Sequence, residues 1–345
     1  MDLAGLAQME PGADACQATL PVQIQSVAQR QTQSGKPFFD LQVADGSAQS
    51  KLKIWSDTPA FSFLQNQSTG TCCALTAEFF VNDYGLNVTH PALELLEADA
   101  LEEFLAGSPQ RRELIDSLWQ EMIHHFESLE DPRLRALTTT CLSDLEARWK
   151  RAAAARSYHH ARRGGLLEHT CQMLRSARAL APLYPEIYPD LLFAGVLFHD
   201  LGKCWENDFP DHGFISRPSR MGELLGHITI GVEVVNRYWH QIQQDSPELF
   251  EDTVGFPPAE RVREHLLHLI VSHHGQLEFG SPVTPKIPEA WMLHAIDNLD
   301  ARLEMMRGSY VGSPVEGTDL FKAQRPLSGY LARCLTDFNS PGRGD

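Results

Sequence analysis

The chain has no apolar run near the roughly 20 residues that a membrane-crossing helix needs. That argues against a membrane partner. Met1 to Pro11 lacks a basic stretch and carries two early acids, Asp2 and Glu10, so it is not expected to be a signal peptide. Cysteine is sparse and unpatterned. The seven residues, Cys16, Cys72, Cys73, Cys141, Cys171, Cys204 and Cys334, include no C-x-x-C pair. An odd, scattered set argues against a disulfide framework or a thiolate zinc site and for the reducing cytoplasm. Positive charge is also short: 29 Lys and Arg against 45 acids leave a net charge of −16. Such acidity opposes non-specific nucleic-acid binding over the whole surface, so any nucleic-acid role must rest on local sequence. With 345 residues, 43% of them hydrophobic, the chain is long enough for two domains with ordinary cores.

What the chain does have is histidine next to acid. In F-H-D-L-G-K, Phe198 to Lys203, His199 and Asp200 end the apolar stretch Leu191 to Phe198. A charged pair there is costly unless something neutralises it. A divalent metal does so, since imidazole and carboxylate both ligate first-row ions. His169 in G-G-L-L-E-H-T, His227 in L-L-G-H-I, the doublet His273-His274 and Asp297 in A-I-D-N-L-D lie on other helical segments. Inward ligands from several helices are a common route to a two-metal site, with Asp200 as the expected bridge. Some of this pattern could arise by chance among 15 histidines, and His227 taken alone reads as readily as a core residue. Successive helical residues point about 100° apart, so both members of the doublet can be ligands only near a helix end, which Gly275 supplies. Lys203, three residues after Asp200, falls on the same helical face and is a candidate for holding a phosphate oxygen. His294, three before Asp297, is a candidate support for the ligands. His160 and Arg163, just before Gly164-Gly165, are candidate phosphate contacts, since glycine lets a substrate approach the backbone.

Two grammars divide the chain. From about Ala15 to Leu96, strands are expected at Leu20–Val27, Phe38–Val43, Lys51–Trp55, Cys73–Val81 and, briefly, Gly85–Val88, where apolar and polar residues alternate. Five short strands with tight turns fit a small closed barrel, of which the OB-fold is the five-stranded member and often a single-strand binder. Arg30, Lys36, Lys51 and Lys53 are interleaved with Phe38, Phe39, Trp55, Phe61 and Phe63. Stacking rings plus a cationic track suit single-stranded nucleic acid, although at least half of the rings must be barrel core. Lys36, Lys53 and Trp55 are the candidate substrate contacts. From Asp99 onward helical spacing takes over, at Leu101–Leu105, Arg111–Phe126, Pro132–Ala155, Leu166–Leu180, Pro189–His199, Gly226–Gln243, Ala259–His274 and Pro288–Met306, with a short helix near Leu327–Leu335. No strand alternates with them, so this half reads as a helical bundle.

These motifs resemble those of the HD-domain phosphohydrolases. The longer strings L-L-G-H-I-T-I-G, S-H-H-G-Q-L-E-F-G-S-P and L-H-A-I-D-N-L-D-A-R, with R-Q-T-Q-S-G-K-P-F-F-D-L and K-I-W in the first half, resemble the YhaM-type 3′–5′ exoribonucleases over roughly Val22 to Arg302. The resemblance implies an α+β multidomain chain: an N-terminal five-stranded OB-like β-barrel followed by a C-terminal all-α HD-domain helical bundle. The expected layout is a flexible N-terminus (1–14), an OB-fold nucleic-acid-binding domain (15–98), a helical linker region (99–155), an HD phosphohydrolase domain (156–307) and a loosely ordered C-terminal tail (308–345). It implies removal of nucleotides from the 3′ end of single-stranded RNA, and to some extent DNA. It also implies two divalent ions, manganese first, with iron, cobalt, nickel and zinc as alternatives. His169, His199, Asp200 and Asp297 resemble the core HD ligands; His227, His273 and His274 resemble the additional histidines of HD proteins with a second metal. Asp200 and Lys203 are the expected catalytic pair. The long helices offer surfaces for a homo-oligomer. Rival readings are a phosphohydrolase of free nucleotides, a cyclic-dinucleotide phosphodiesterase (disfavoured because no G-Y-P follows the doublet) and a non-catalytic nucleic-acid-binding factor.

Overall fold

Period-two alternation builds the first part of the molecule. A computed structural model describes residues 2–45, 48–82, 85–107, 109–154, 164–208, 217–251, 255–310, 314–315, 317–323 and 327–335. The chain divides into two units, one on Met1–Leu114 and one on Ile115–Asp208 with Pro218–Asp345. In the first, strands β1 (Cys16–Gln31), β2 (Pro37–Ala44), β3 (Gln49–Trp55), β4 (Cys72–Asn82) and β5 (Gly85–Leu95) form an antiparallel sheet in the order β3-β2-β1-β4-β5. The edge strands β3 and β5 approach each other, so the sheet curls as an OB-like barrel does. Val22, Ile24, Leu41, Val43, Leu52, Ile54, Leu75 and Phe79 fill the inside.

Two differences from the sequence expectation have physical causes. Strand β5 runs past Val88 to Leu95. His90, at φ +50°, and a register shift opposite Thr76 and Glu78 carry the chain through Thr89-His90-Pro91. An edge strand tolerates a proline there because its N–H is not required on the open side. The residues before β1, expected to be flexible, include a short helix α1 (Leu3–Ala7) capped by the Asp2 carboxylate, with Leu3 and Leu6 fully buried in the barrel core. Helix α2 (Pro59–Leu64), between β3 and β4, adds Ala60, Phe61 and Leu64 to that core.

After α3 (Ala98–Ala106) and α4 (Pro109–Glu127), the second unit is helical: α5 (Pro132–Trp149), α6 (Gly165–Leu180), α7 (Pro189–Phe198), α8 (Lys203–Glu206), α9 (Arg220–Asp245), α10 (Ala259–Ser272) and α11 (Pro288–Tyr310). Helix α7, apolar on nearly every face, is packed on by α5, α6, α10 and α11. Burial all round is what such a sequence requires. Gly195 lets α10 close in: a Cβ there would lie 2.6 Å from Leu269 Cδ1. The start of α5 is tied to the start of α7. Buried Arg133 grips Asp131 with Nε (2.9 Å) and Nη2 (2.7 Å), the Tyr188 hydroxyl donates to Asp131 (3.0 Å), and the Asp131 N–H donates to Asp190 (2.6 Å). The expected linker thus includes a helix of the bundle itself.

Helix α5 stops at Trp149 rather than Ala155; Ala152 to Ala154 are buried without helical structure, and the Leu166 N–H donates to the Ala152 carbonyl at 3.0 Å. The helix expected near Leu327–Leu335 is instead a strand, Tyr330–Ala332, paired with Leu320–Lys322. This hairpin is fastened to α11 by the Tyr310 hydroxyl, 2.7 Å from the Ala332 carbonyl, and by the Tyr310–Phe321 ring contact. Among the described residues no helix is long and apolar enough to cross a membrane.

Candidate metal centre

The ligand candidates come from helix ends and helix faces around α7. His199 and His273 hold matching places, each the first residue past a helix, α7 and α10. Helix C-termini leave carbonyls without intrahelical donors. Each ring folds back on one: His199 Nδ1 reaches the Val196 carbonyl at 2.9 Å, and His273 Nδ1 the Ile270 carbonyl at 2.7 Å. A carbonyl only accepts, so Nδ1 carries the proton and Nε2 turns its lone pair inward. The remaining rings follow the same rule. His274 Nδ1 donates to the Phe279 carbonyl (2.7 Å), His227 Nδ1 to Glu206 Oε1 (3.1 Å) and His169 Nδ1 to Asp300 Oδ2 (2.7 Å). Five imidazoles held by Nδ1 to an acceptor, with Nε2 turned inward, is the arrangement metal-binding histidines use.

Asp200 lies between two groups of these atoms. Its Oδ2 is 3.3 Å from His199 Nε2 and 3.8 Å from His169 Nε2; its Oδ1 is 3.5 Å from His227 Nε2 and 3.6 Å from His273 Nε2. His169, His199 and Asp297 form one triad whose ligand atoms lie within 4.8 Å of one another, and His227, His273 and His274 form the other. Asp200 Oδ1, His227 Nε2 and His273 Nε2 are buried and make no hydrogen bond. Buried polar atoms without partners are costly, and three converging on one spot fit a cation.

Glycines make the approach possible. A Cβ at Gly202 would stand 1.9 Å from the His227 carbonyl oxygen. Gly226, at φ +70° and ψ 158°, breaks α9 just before His227 and re-aims it; only glycine adopts that conformation readily. Gly275, at φ +77°, lies where a Cβ would meet the His294 ring at 2.4 Å.

Residues 166–302 match the HD domain family. The chain is 33% identical over 277 residues to the 3′–5′ exoribonuclease YhaM of Bacillus subtilis (strain 168), and equally to that of Bacillus velezensis. Each alignment covers 79% of this chain and 81% of the relative. The chain belongs to the YhaM family. An HD domain in a YhaM-family chain implies a divalent metal and phosphohydrolase chemistry, so the protein is a metal-dependent phosphohydrolase.

In this YhaM-family site the electrostatics follow from burial against charge. Burial opposes ionisation of Asp200, but Lys203, His199 and His227 overcome it and hold the carboxyl well below its usual range. Burial likewise opposes the charge on Asp297, and its hydrogen bond to His169, with the His199 ring also beside it, lowers it. His169 loses by burial and gains more from Asp297, Asp300 and Asp200, ending at about 9. Burial, with neighbouring imidazoles, pushes His273 and His274 down, which keeps their lone pairs available.

The structure brings all seven expected ligand candidates of this YhaM-family chain together. Lys203 joins them, its Nζ 2.6 Å from Asp200 Oδ2. His294 supports them through Nδ1, 2.9 Å from the His273 carbonyl. His160 and Arg163 lie outside the described residues. Asp300 and Glu206, which anchor His169 and His227, were missed. Asp300 had a signal, since it follows Asp297 by three helical residues; Glu206 had none beyond its nearness to Lys203.

On the barrel, strand parity sends Phe39 inward, where it meets Phe61 of α2 at 4.7 Å between centroids. Phe38 and Trp55 pair across β2 and β3 on the other face at 5.3 Å. Lys36 Nζ lies 5.3 Å from the Trp55 ring and is bound to Asp57; Lys53 Nζ lies 5.9 Å from Phe38. The three expected barrel contacts thus form one patch.

Proposed function

We propose that the protein removes nucleotides from the 3′ end of single-stranded RNA, and to some extent DNA, with two divalent ions, manganese first. The observation that carries this reading is the pair of triads on either side of Asp200, with Asp200 Oδ1, His227 Nε2 and His273 Nε2 unpartnered between them. His169, His199 and Asp297 would hold one ion, His227, His273 and His274 the other, and Asp200 would touch both. Bound there, divalent ions supply a water nucleophile at neutral pH and offset charge at phosphorus.

The chain's own residues do the rest. The carboxylates of Asp300 and Glu206 hold the His169 and His227 rings so that each Nε2 faces inward. Buried His273 and half-buried His274, both held neutral, offer lone pairs without first losing a proton. Lys203 balances Asp200 and is the cation nearest to hand for a non-bridging phosphate oxygen. On the barrel, Trp55 and Phe38 would stack bases while Lys36 and Lys53 follow the backbone, a sequence-tolerant grip. That grip favours a polymer over a free nucleotide, the main rival substrate. The seven cysteines, all thiols, suit a cytoplasmic setting, and self-association through the long helices belongs to the same reading.

The test is hydrolysis of end-labelled single-stranded RNA with manganese, with and without chelator. Stepwise shortening from the 3′ end that chelator abolishes is the expected result. Cleavage of free nucleotides but not of RNA would overturn it.

A further inference from the structure

The string that follows the histidine doublet, Gln276-Leu-Glu-Phe-Gly-Ser, has no part in the centre beyond a carbonyl. It forms a tight 3-10 turn, Leu277–Phe279, between Gly275 and Gly280, both in the left-handed region. Four bonds lock it. The Gly280 N–H donates to the Leu277 carbonyl (3.0 Å) and the Ser281 N–H to the Gln276 carbonyl (3.3 Å). The buried Ser281 hydroxyl lies 3.1 Å from the Val271 carbonyl and 2.9 Å from that of Val283. On this fixed turn Leu277 and Phe279 are each 59% exposed. Phe279 also gives its carbonyl to His274 Nδ1 at 2.7 Å. The residue that carries this exposed phenyl ring is therefore bonded through its main chain to a ligand candidate of the centre.

Folding gives no reason for this ring, since it is not buried. The turn from Gln276 to Gly280 contains no cation, and Glu278 would repel phosphate. Its chemistry therefore suits a base rather than the backbone. A base is one sugar away from the phosphate under attack, and the last base of a strand has a stacking neighbour on one face only.

We propose that Phe279 is a stacking platform for the base of the 3′-terminal nucleotide, and that it sets a preference for ends that carry a base. This rests on the nuclease reading above. Aromatic stacking tolerates any base and, when removed, weakens binding by on the order of tenfold.

The experiment compares manganese-dependent removal of the last nucleotide from two RNAs, one ending in a normal nucleotide and one in an abasic residue. The enzymes are the full-length protein, Phe279→Ala and Phe279→Trp. The unaltered protein is expected to prefer the normal end about tenfold in kcat/KM. Phe279→Ala should lose that preference with metal content unchanged, and Phe279→Trp should keep it. Equal preference in the unaltered protein and in Phe279→Ala would overturn the platform while leaving the nuclease reading intact. So would an equal loss by Phe279→Ala on both RNAs, or a change in solution mass that marks the ring as a contact between copies. Failure of the unaltered protein to shorten either RNA would overturn the nuclease reading, and the platform with it.

Discussion

Lys203 and Asp200 face each other one helical turn apart, Nζ 2.6 Å from Oδ2, while the other oxygen of Asp200 has no hydrogen-bond donor. The carboxylate is thus divided: one oxygen is neutralised by the chain, and the other is left to the imidazoles of His227 and His273. The division separates two variants. Asp200→Asn is expected to lose bound metal and hydrolysis together. Lys203→Met should keep its metal and lose at least about 100-fold in rate, the lower range for one electrostatic contact in a site of this kind. Elemental analysis beside RNA hydrolysis distinguishes them; loss of metal from Lys203→Met would deny the lysine a separate role.

Asp300 holds the His169 ring by Nδ1, its Oδ2 2.7 Å away, and through that ring it would act on a metal. Removing the carboxylate frees the ring to rotate and lets Nδ1 rather than Nε2 present the lone pair. Asp300→Ala is expected to weaken metal affinity about 10–100-fold, as loss of such partners does elsewhere. Titration calorimetry with manganese measures this, and unchanged affinity would count against the orienting role.

The difference between Asp300 and Glu206 shows what the sequence makes legible. Candidate ligands on regular spacing could be read: the H-D pair after an apolar run, the doublet before a glycine, and Asp297; Asp300, one turn on from Asp297 on the same helix face, carried a signal that went unread. Glu206 meets His227 across 21 residues, a relation that only the packing of α8 on α9 creates. The barrel strands were legible by alternation up to Val88. Pro91 hid the rest of β5, because an edge strand accepts what a central one does not. Leu3 and Leu6 carried a helical spacing after a capping Asp2, but a segment of five residues is too short to stand out without the core it joins. The Asp131–Arg133–Tyr188–Asp190 knot was invisible for the same reason as Glu206: its members are neighbours only once α5 and α7 are packed.

Acid should weaken the fold through His125. It is buried with Nε2 unpartnered and rings of Phe126 and Phe193 against it; burial, with Arg178 nearby, lowers it from 6.5 to about 4. A group whose folded-state value is depressed stays neutral in the fold while the unfolded chain takes up a proton. Stability therefore falls as pH drops from about 6.5 to about 4, by at most about 3 kcal/mol from this group. Urea unfolding at pH 7 and pH 4.5 measures it. His125→Leu should show a smaller difference between the two.

His169 gives the opposite sign. Raised from 6.5 to about 9 by Asp297 and Asp300 against the cost of burial, it stabilises the metal-free fold fully below about 6.5. That contribution is lost as pH rises through about 9. Its Nε2 proton must leave before an ion can bind there. Manganese affinity is therefore expected to climb between pH 7 and 9, with about one proton released per protein from this ring. Calorimetry in buffers of different ionisation enthalpy counts that proton.

On the barrel, Trp55→Ala should weaken binding of a single-stranded oligonucleotide by on the order of tenfold. Lys53→Ala should reduce the slope of log affinity against log salt by about 0.7, one phosphate's share on a single strand. Both keep the inward faces of β2 and β3 intact, so thermal unfolding should move little. A full loss of fold in either would place the residue in the core rather than on a nucleic-acid surface.

Gly202 offers the sharpest test of the whole centre, because its neighbour cannot give way. An added Cβ would stand 1.9 Å from the His227 carbonyl oxygen and 2.9 Å from the Gly231 nitrogen, both main-chain atoms of α9. The helix would have to move off the turn that carries Asp200, taking His227 from Oδ1. Overpacking of this kind costs about 1–3 kcal/mol, occasionally more. Gly202→Ala is therefore expected to melt lower and to lose affinity at the three-histidine triad, which depends on α9, more than at His169 on α6, His199 at the end of α7 and Asp297 on α11. Metal titration should then change from two comparable steps to one retained and one weakened. Equal loss from both triads would mean that Asp200 itself had been displaced, and that the two halves of the centre do not stand on separate supports.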